Sequence, residues 1–164
     1  MGRAFLSLGS NVDPEANLHS AIAALRARFG AIRLSPVYRT RAVGFEGAEF
    51  LNAAAVLETD LEPQALDDWL HALEDAHGRD RAAPRFGDRT LDVDLVLYDD
   101  RIVDGPGHLR VPRDELRHAF VLRPLVGIAP DAVEPRSGRT LAALWAQSPE
   151  RDVPMTVVAG FDVG

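Results

Sequence analysis

The chain has 164 residues, 46% hydrophobic and 26% charged, which suits one globular domain with a buried core and excludes disorder. It has no cysteine, and all 18 basic residues are arginine, so disulfides, thiolate nucleophiles, a Walker lysine and lysine Schiff bases are excluded. A net charge of −7 is poorly suited to non-specific binding of nucleic acid.

Ala4 to Leu8 reads as a buried strand closed by the turn residues Gly9-Ser10-Asn11. Asp13-Pro14-Glu15 has the form of a helix start, with Asp13 as the capping acid and proline at the first helical position. Leu18, Ile22, Leu25 and Phe29 continue it at helical spacing, and Gly30 ends it. A second strand is predicted from Ile32 to Tyr38, then a loop from Thr40 to Glu49. Phe50 to Leu57 reads as a central strand, apolar except for Asn52. A helix follows from Pro63, with Leu66, Trp69, Leu70 and Leu73 on one face and Gly78 as its stop. An arginine-rich loop, Arg79 to Arg89, leads into a fourth strand, Thr90 to Tyr98.

The order β-α-β-β-α-β predicts an α+β, ferredoxin-like sandwich with two helices on one face of an antiparallel sheet. The remainder reads as short helices and turns appended to that core, within a single domain spanning residues 1–164. The N-terminus lacks the apolar run of a signal peptide, and no stretch approaches the roughly 20 apolar residues that span a bilayer. A cytoplasmic monomer without nucleic-acid or membrane partners is expected.

In Thr90-Leu91-Asp92-Val93-Asp94-Leu95-Val96-Leu97, the strand period puts Leu91, Val93, Leu95 and Leu97 on one face and both aspartates on the other. Two carboxylates so spaced can converge on hard cations or simply face water. Arg79, Arg81, Arg85 and Arg89, just upstream, form either a surface salt-bridge cluster or a phosphate clamp. Together the two groups have the composition of a phosphoryl-transfer site. Asn52 needs its hydrogen bonds met inside an apolar strand, by loop backbone or by a ligand edge. Phe50 and Phe120 are either core residues or the faces of a flat-ring site. The five histidines lack metal-ligand spacing, and neither Ser7 nor Ser10 sits in a nucleophile elbow.

Taken in order, several segments resemble the 6-hydroxymethyl-7,8-dihydropterin pyrophosphokinase family of folate biosynthesis. They are Leu6 to Asn11, Ser35 to Thr40, Phe50 to Ala54, Gly78 to Arg81, Arg89-Thr90-Leu91-Asp92-Val93-Asp94 and Phe120 to Leu125. The resemblance implies transfer of the β,γ-pyrophosphoryl group of ATP to the pterin hydroxymethyl oxygen, with release of AMP. It implies two Mg2+ ions held by Asp92 and Asp94. It places Asn52, Thr40, Arg41 and Val43 at the pterin edge, with Phe50 and Phe120 stacking on the ring. His71, Glu74, Arg81, Arg89, Arg113 and His118 would meet ATP, and Arg79, Arg85 and Arg89 would act in the arginine loop.

Some positions depart from the family pattern. Phe86 stands for a usual tryptophan, and Asp88 lies between the loop arginines. In Val111 to Phe120, arginine and histidine have exchanged places within a segment about one residue shorter than usual. The expectation is that Arg117 replaces the displaced arginine catalytically, with His118 in a lesser part. A diverged paralogue acting on a related reduced pterin, or a non-catalytic pterin or nucleotide binder, remains the alternative.

Overall fold

The structure, a computed structural model, describes residues 1–40, 49–78, 90–159 and 161. In chain order the elements are β1 (Gly2–Ser10), α1 (Pro14–Phe29), β2 (Arg33–Leu34), β3 (Tyr38–Thr40), β4 (Phe50–Thr59), α2 (Pro63–Ala76) and β5 (Asp92–Tyr98). Then come β6 (Val103–Asp104), β7 (Arg110–Val111), a 3-10 helix (Asp114–Arg117), α3 (Ala119–Ile128), β8 (Val133–Glu134), β9 (Arg139–Thr140), α4 (Leu141–Ala146) and β10 (Thr156–Val157).

The main sheet runs β10-β3-β4-β1-β5, with β2 also on β4, and every pairing is antiparallel. β1 lies between β4 and β5, so each strand–helix–strand unit straddles a strand of the other, as the ferredoxin-like order requires. Leu18, Ile22 and Leu25 of α1 and Leu66, Leu70 and Leu73 of α2 cover one face, over Leu6, Leu8, Leu51, Leu57, Leu91, Val93 and Leu95. The opposite face is also covered. Val121, Leu122 and Leu125 of α3, with Leu116 and Leu141, pack on Phe5, Ala54, Val96 and Leu97. The appended segment is therefore a third layer, and burial on both faces explains why the strands are near-continuous apolar runs.

Four local expectations change. The first strand does not turn at Gly9 but continues through Ser10, whose hydroxyl donates to the Thr90 carbonyl at 2.5 Å. Asp13 occupies the cap position of α1 in a left-handed conformation (φ 43°) without a side-chain cap, and its carbonyl receives the Asn17 N–H instead. The strand expected from Ile32 to Tyr38 splits into β2 and β3 around Pro36, which has no N–H for a ladder. Ser35 bridges the gap: its N–H reaches the Ala54 carbonyl at 2.9 Å and its hydroxyl accepts the Ala54 N–H at 2.8 Å.

The fourth change concerns β5. Phe5 pairs with Leu97 but Leu6 pairs with Leu95, so Val96 is an extra residue in a bulge. The bulge advances the alternation by one, and Leu97 packs with Phe5 under α3 instead of with Leu91, Val93 and Leu95. Asp92 and Asp94 precede the bulge and keep the expected face. No helix among the described residues is long and apolar enough to cross a membrane.

Candidate active site

The registers of β1, β4 and β5 bring the polar residues of the three strands together. Tyr38 pairs with Asn52, Asn52 with Gly9, and Gly9 with Asp92, which makes one row across the sheet. The next row on the same face holds Ala54, Ser7 and Asp94. Strand alternation puts both rows on the face that α3 covers further along, where Phe5, Ala54 and Val96 pack. Asn52 and Asp92 are two strands apart, about 10 Å at ordinary strand spacing. Between them lie glycine, serine and alanine. A methyl group built on Gly9 would meet Asn52 Oδ1 at 2.8 Å, so only glycine leaves the amide in place. The result is a shallow floor with an amide at one end and two carboxylates at the other.

Asn52 is buried, and its Nδ2 donates to Thr40 Oγ1 at 2.5 Å. Thr40 thus fixes which way the amide faces. Gly9→Ala is expected to push the amide aside and raise the KM of the substrate that this amide meets severalfold with little change in Tm, a split that steady-state kinetics and thermal melting together measure.

At the other end, Asp92 and Asp94 are both half-buried. β5 is the sheet's outer strand, so the Val93 N–H between them points away from β1. Glu74 of α2, 2% exposed, accepts that N–H at 2.9 Å. Its carboxylate closes the strand edge and holds the backbone that carries both aspartates. His71 lies one helical turn earlier, half-exposed, with Nδ1 3.8 Å from Asp67.

The β6–β7 hairpin delivers the next group. Arg113 N donates to the Val96 carbonyl at 3.0 Å, pinning the segment to β5 two residues beyond Asp94. The Arg113 guanidinium lies with Nη2 3.5 Å from Asp94 Oδ1 and Nε 2.6 Å from Glu115 Oε2. Burial works against its charge, but Asp94, Glu115, Asp67 and Glu74 outweigh that and hold it more firmly protonated than an ordinary arginine. Arg117, at the far end of the 3-10 helix, is exposed and has Glu150 as a charged neighbour. It lines a cavity of about 570 Å³ beneath the 3-10 helix, shared with Arg136 and Arg139 of the β8–β9 hairpin. The cation that this segment sets against the aspartates is therefore Arg113.

His118 and Ala119 are joined by a residue the sequence did not single out. Glu150 Oε2 is 2.9 Å from His118 Nδ1, and Glu150 Oε1 accepts the Ala119 N–H at 3.0 Å. His118 stacks on Phe120 with 5.3 Å between ring centres and 12° between planes. Burial raises the Glu150 carboxyl, but the Ala119 N–H and His118 outweigh it and hold its pKa below the usual 4.5. Its stabilising contribution is thus present above about pH 4.5 and lost as the pH falls through the lower folded value. Glu150→Ala is expected to cost about 1 kcal/mol by urea denaturation at pH 7, since an N-terminal cap of α3 is lost.

Phe50 opens β4, half-buried, beside the same floor. Arg41 and Val43, and the loop arginines Arg79, Arg81, Arg85 and Arg89 with Phe86 and Asp88, lie outside the described residues.

A family model described as 7,8-dihydro-6-hydroxymethylpterin-pyrophosphokinase (HPPK) matches residues 5–130. The chain belongs to this family. A 2-amino-4-hydroxy-6-hydroxymethyldihydropteridine pyrophosphokinase of Synechocystis is 40% identical over 148 residues, 88% of this chain and 75% of that protein. The Pseudomonas aeruginosa protein of the same name is 39% identical over 153 residues, 90% of this chain and 92% of that one. Among solved structures, an HPPK-DHPS in complex with substrates superposes with a TM-score of 0.70 at 13% identity, over 92% of this chain and 44% of that one. The wild-type HPPK-DHPS of Plasmodium falciparum gives 0.71 at 14%, over 92% of this chain and 41% of that one. This HPPK chain thus spans less than half of those two-part chains, and at such identity the likeness speaks for the fold alone. Membership makes the protein a pyrophosphokinase, an enzyme that moves pyrophosphate from ATP.

Proposed function

We propose that the chain transfers the β,γ-pyrophosphoryl group of ATP to the hydroxymethyl oxygen of 6-hydroxymethyl-7,8-dihydropterin, a step of folate biosynthesis. The observation that carries this reading is the single sheet face with Asn52 at one end, Asp92 and Asp94 at the other, and Gly9 between. In the reaction the hydroxymethyl oxygen bonds to the β-phosphorus and gives up its proton to water. The bond from that phosphorus to the α-bridging oxygen breaks, and AMP leaves with the electron pair.

Each residue takes a part set by its place. Asn52, oriented by Thr40, reads the donor–acceptor edge of the pterin, with Arg41 and Val43 contributing from the adjoining loop. Phe50 and Phe120 bound the ring. His71, Glu74 and His118 border the nucleotide, and Glu74 also braces the strand that carries the aspartates. Arg79, Arg81, Arg85 and Arg89 of the loop meet the phosphates, joined by Arg113, which takes the part expected of Arg117. Asp92 and Asp94 fit two Mg2+ ions: both are hard, half-buried carboxylates on one face, and a guanidinium already rests against one of them. Bound magnesium would neutralise the charge on the transferring group and the departing AMP oxygen. A single chain supplies every residue in this scheme, so a cytoplasmic monomer suffices.

The test is AMP release from ATP with Mg2+ and 6-hydroxymethyl-7,8-dihydropterin, followed by chromatography. Release that depends on the pterin supports the reading. AMP release with a different reduced pterin alone would point to a diverged paralogue, and ligand binding without AMP to a non-catalytic binder. Within the segment, Arg113→Ala is expected to lower kcat at least tenfold and Arg117→Ala less than threefold, in steady-state assays of both.

A further inference from the structure

Arg113 is surrounded by negative charge yet poorly hydrogen-bonded. Asp94 and Glu115 flank it, and Asp67 and Glu74 of α2 add to the field it feels. The Nη2 contact to Asp94 is 3.5 Å, beyond the usual range of an N–H to oxygen bond. Nε is 2.6 Å from Glu115 as an ion pair, yet the buried Nε–H makes no hydrogen bond. A guanidinium normally uses its planar fork of donors on a carboxylate or phosphate. Here it is held by charge and its fork is unspent.

The backbone makes this position firm while leaving the head loose. Arg113 N is bonded to Val96 O, and Pro112 before it is buried. The guanidinium thus reaches Asp94 from a fixed root, and small side-chain rotations suffice to move it off the aspartate.

Resting on the metal and nucleotide reading above, we propose that Arg113 is a resident counter-ion of Asp94, and that it exchanges this aspartate for the nucleotide's phosphates when the divalent cation enters. Before loading, the guanidinium offsets the mutual repulsion of the clustered carboxylates. After loading, a cation beside Asp94 repels Arg113, and the unspent fork finds phosphate oxygens as bidentate partners. Metal and nucleotide binding are then coupled through one side chain, which opposes the first in the absence of the second and favours the second in the presence of the first.

Two measurements of opposite sign test this. Mn2+ serves as the metal probe, its free concentration read by electron paramagnetic resonance without nucleotide. Arg113→Met keeps most of the aliphatic stem and removes the charge, so Mn2+ should bind roughly three- to tenfold tighter, the effect of one unit charge about 6 Å away at high effective dielectric. Arg113→Lys should leave Mn2+ affinity near that of the wild type. With Mg2+ present, calorimetry should show the non-reactive analogue α,β-methylene-ATP, whose α–β bridge cannot be cleaved, binding at least tenfold more weakly to Arg113→Met. Unchanged or weaker Mn2+ binding by Arg113→Met overturns the counter-ion role, and unchanged analogue binding overturns the exchange. Asp94→Asn separates the two levels. If it leaves Mn2+ binding intact, the metal reading fails and this proposal with it. If it removes binding while Arg113→Met fails to tighten it, the proposal alone fails.

Discussion

Asp92→Ala and Asp94→Ala are each expected to lower magnesium-dependent AMP production about a thousandfold, equivalent to about 4 kcal/mol of transition-state stabilisation. The two side chains share a face of β5, and Asp92 pairs directly with Gly9 of the floor. Their fold cost should be small, since both are half-buried and the β5 backbone is held independently by β1 and by Glu74. Circular dichroism and thermal melting should therefore show a native protein. The effect should fall on kcat at saturating Mg2+ and ATP. A variant that recovers wild-type turnover when Mg2+ is raised would mean a ligand that only tunes affinity. Near-wild-type turnover of either variant at ordinary Mg2+ would remove the metal assignment altogether.

The Asp pair was legible in the sequence because a strand's period of two is a local rule, and both residues precede the bulge at Val96. Leu97 shows where that rule stops: the bulge answers to the pairing with Phe5 and Leu6, far off in the chain, and nothing in Asp92 to Tyr98 signals it. The β-α-β-β-α-β order was legible for the same local reasons, through Pro14, Gly30, Pro63 and Gly78 at helix ends. Pro36 shows the converse. It stood in plain sight within the expected second strand, and its missing N–H is what divides β2 from β3.

The third layer was harder. α3 carries Pro124 within it, and its first turn is held by Glu150, thirty-one residues downstream. A glutamate among Ser148-Pro149-Glu150-Arg151 has no local mark of that role. Likewise, the expectation that Arg117 supplies the cation between Pro112 and Phe120 rested on local spacing, whereas the guanidinium set beside Asp94 is that of Arg113. The deciding contact, Arg113 N to Val96 O, is made across the chain and sets the root of the side chain beside Asp94. The buried state of Glu74 was equally hidden, since its partner is a backbone N–H on the edge of β5.

At the opposite end of the floor, Asn52→Leu is expected to weaken pterin binding by about a hundredfold while leaving ATP binding within twofold. Leucine matches the amide in size, so the strand should keep its packing. It offers no donor or acceptor, and a pterin edge left unpaired in a buried site loses about 1–3 kcal/mol for each orphaned group. Two such groups, one facing the amide oxygen and one the amide nitrogen, give the hundredfold figure. Thr40 sharpens the test. Its hydroxyl accepts the Asn52 N–H now, so in Asn52→Leu it too is buried without that partner, and some loss of Tm follows. Thr40→Val in the wild-type background should reproduce part of the pterin defect by freeing the amide to turn, with Asn52 itself intact. Calorimetry with the pterin and with α,β-methylene-ATP separates the outcomes. A loss confined to the pterin marks Asn52 as its reader. Equal losses for both ligands, tracking the fall in Tm, would mean that the amide serves the strand and the pterin is read elsewhere.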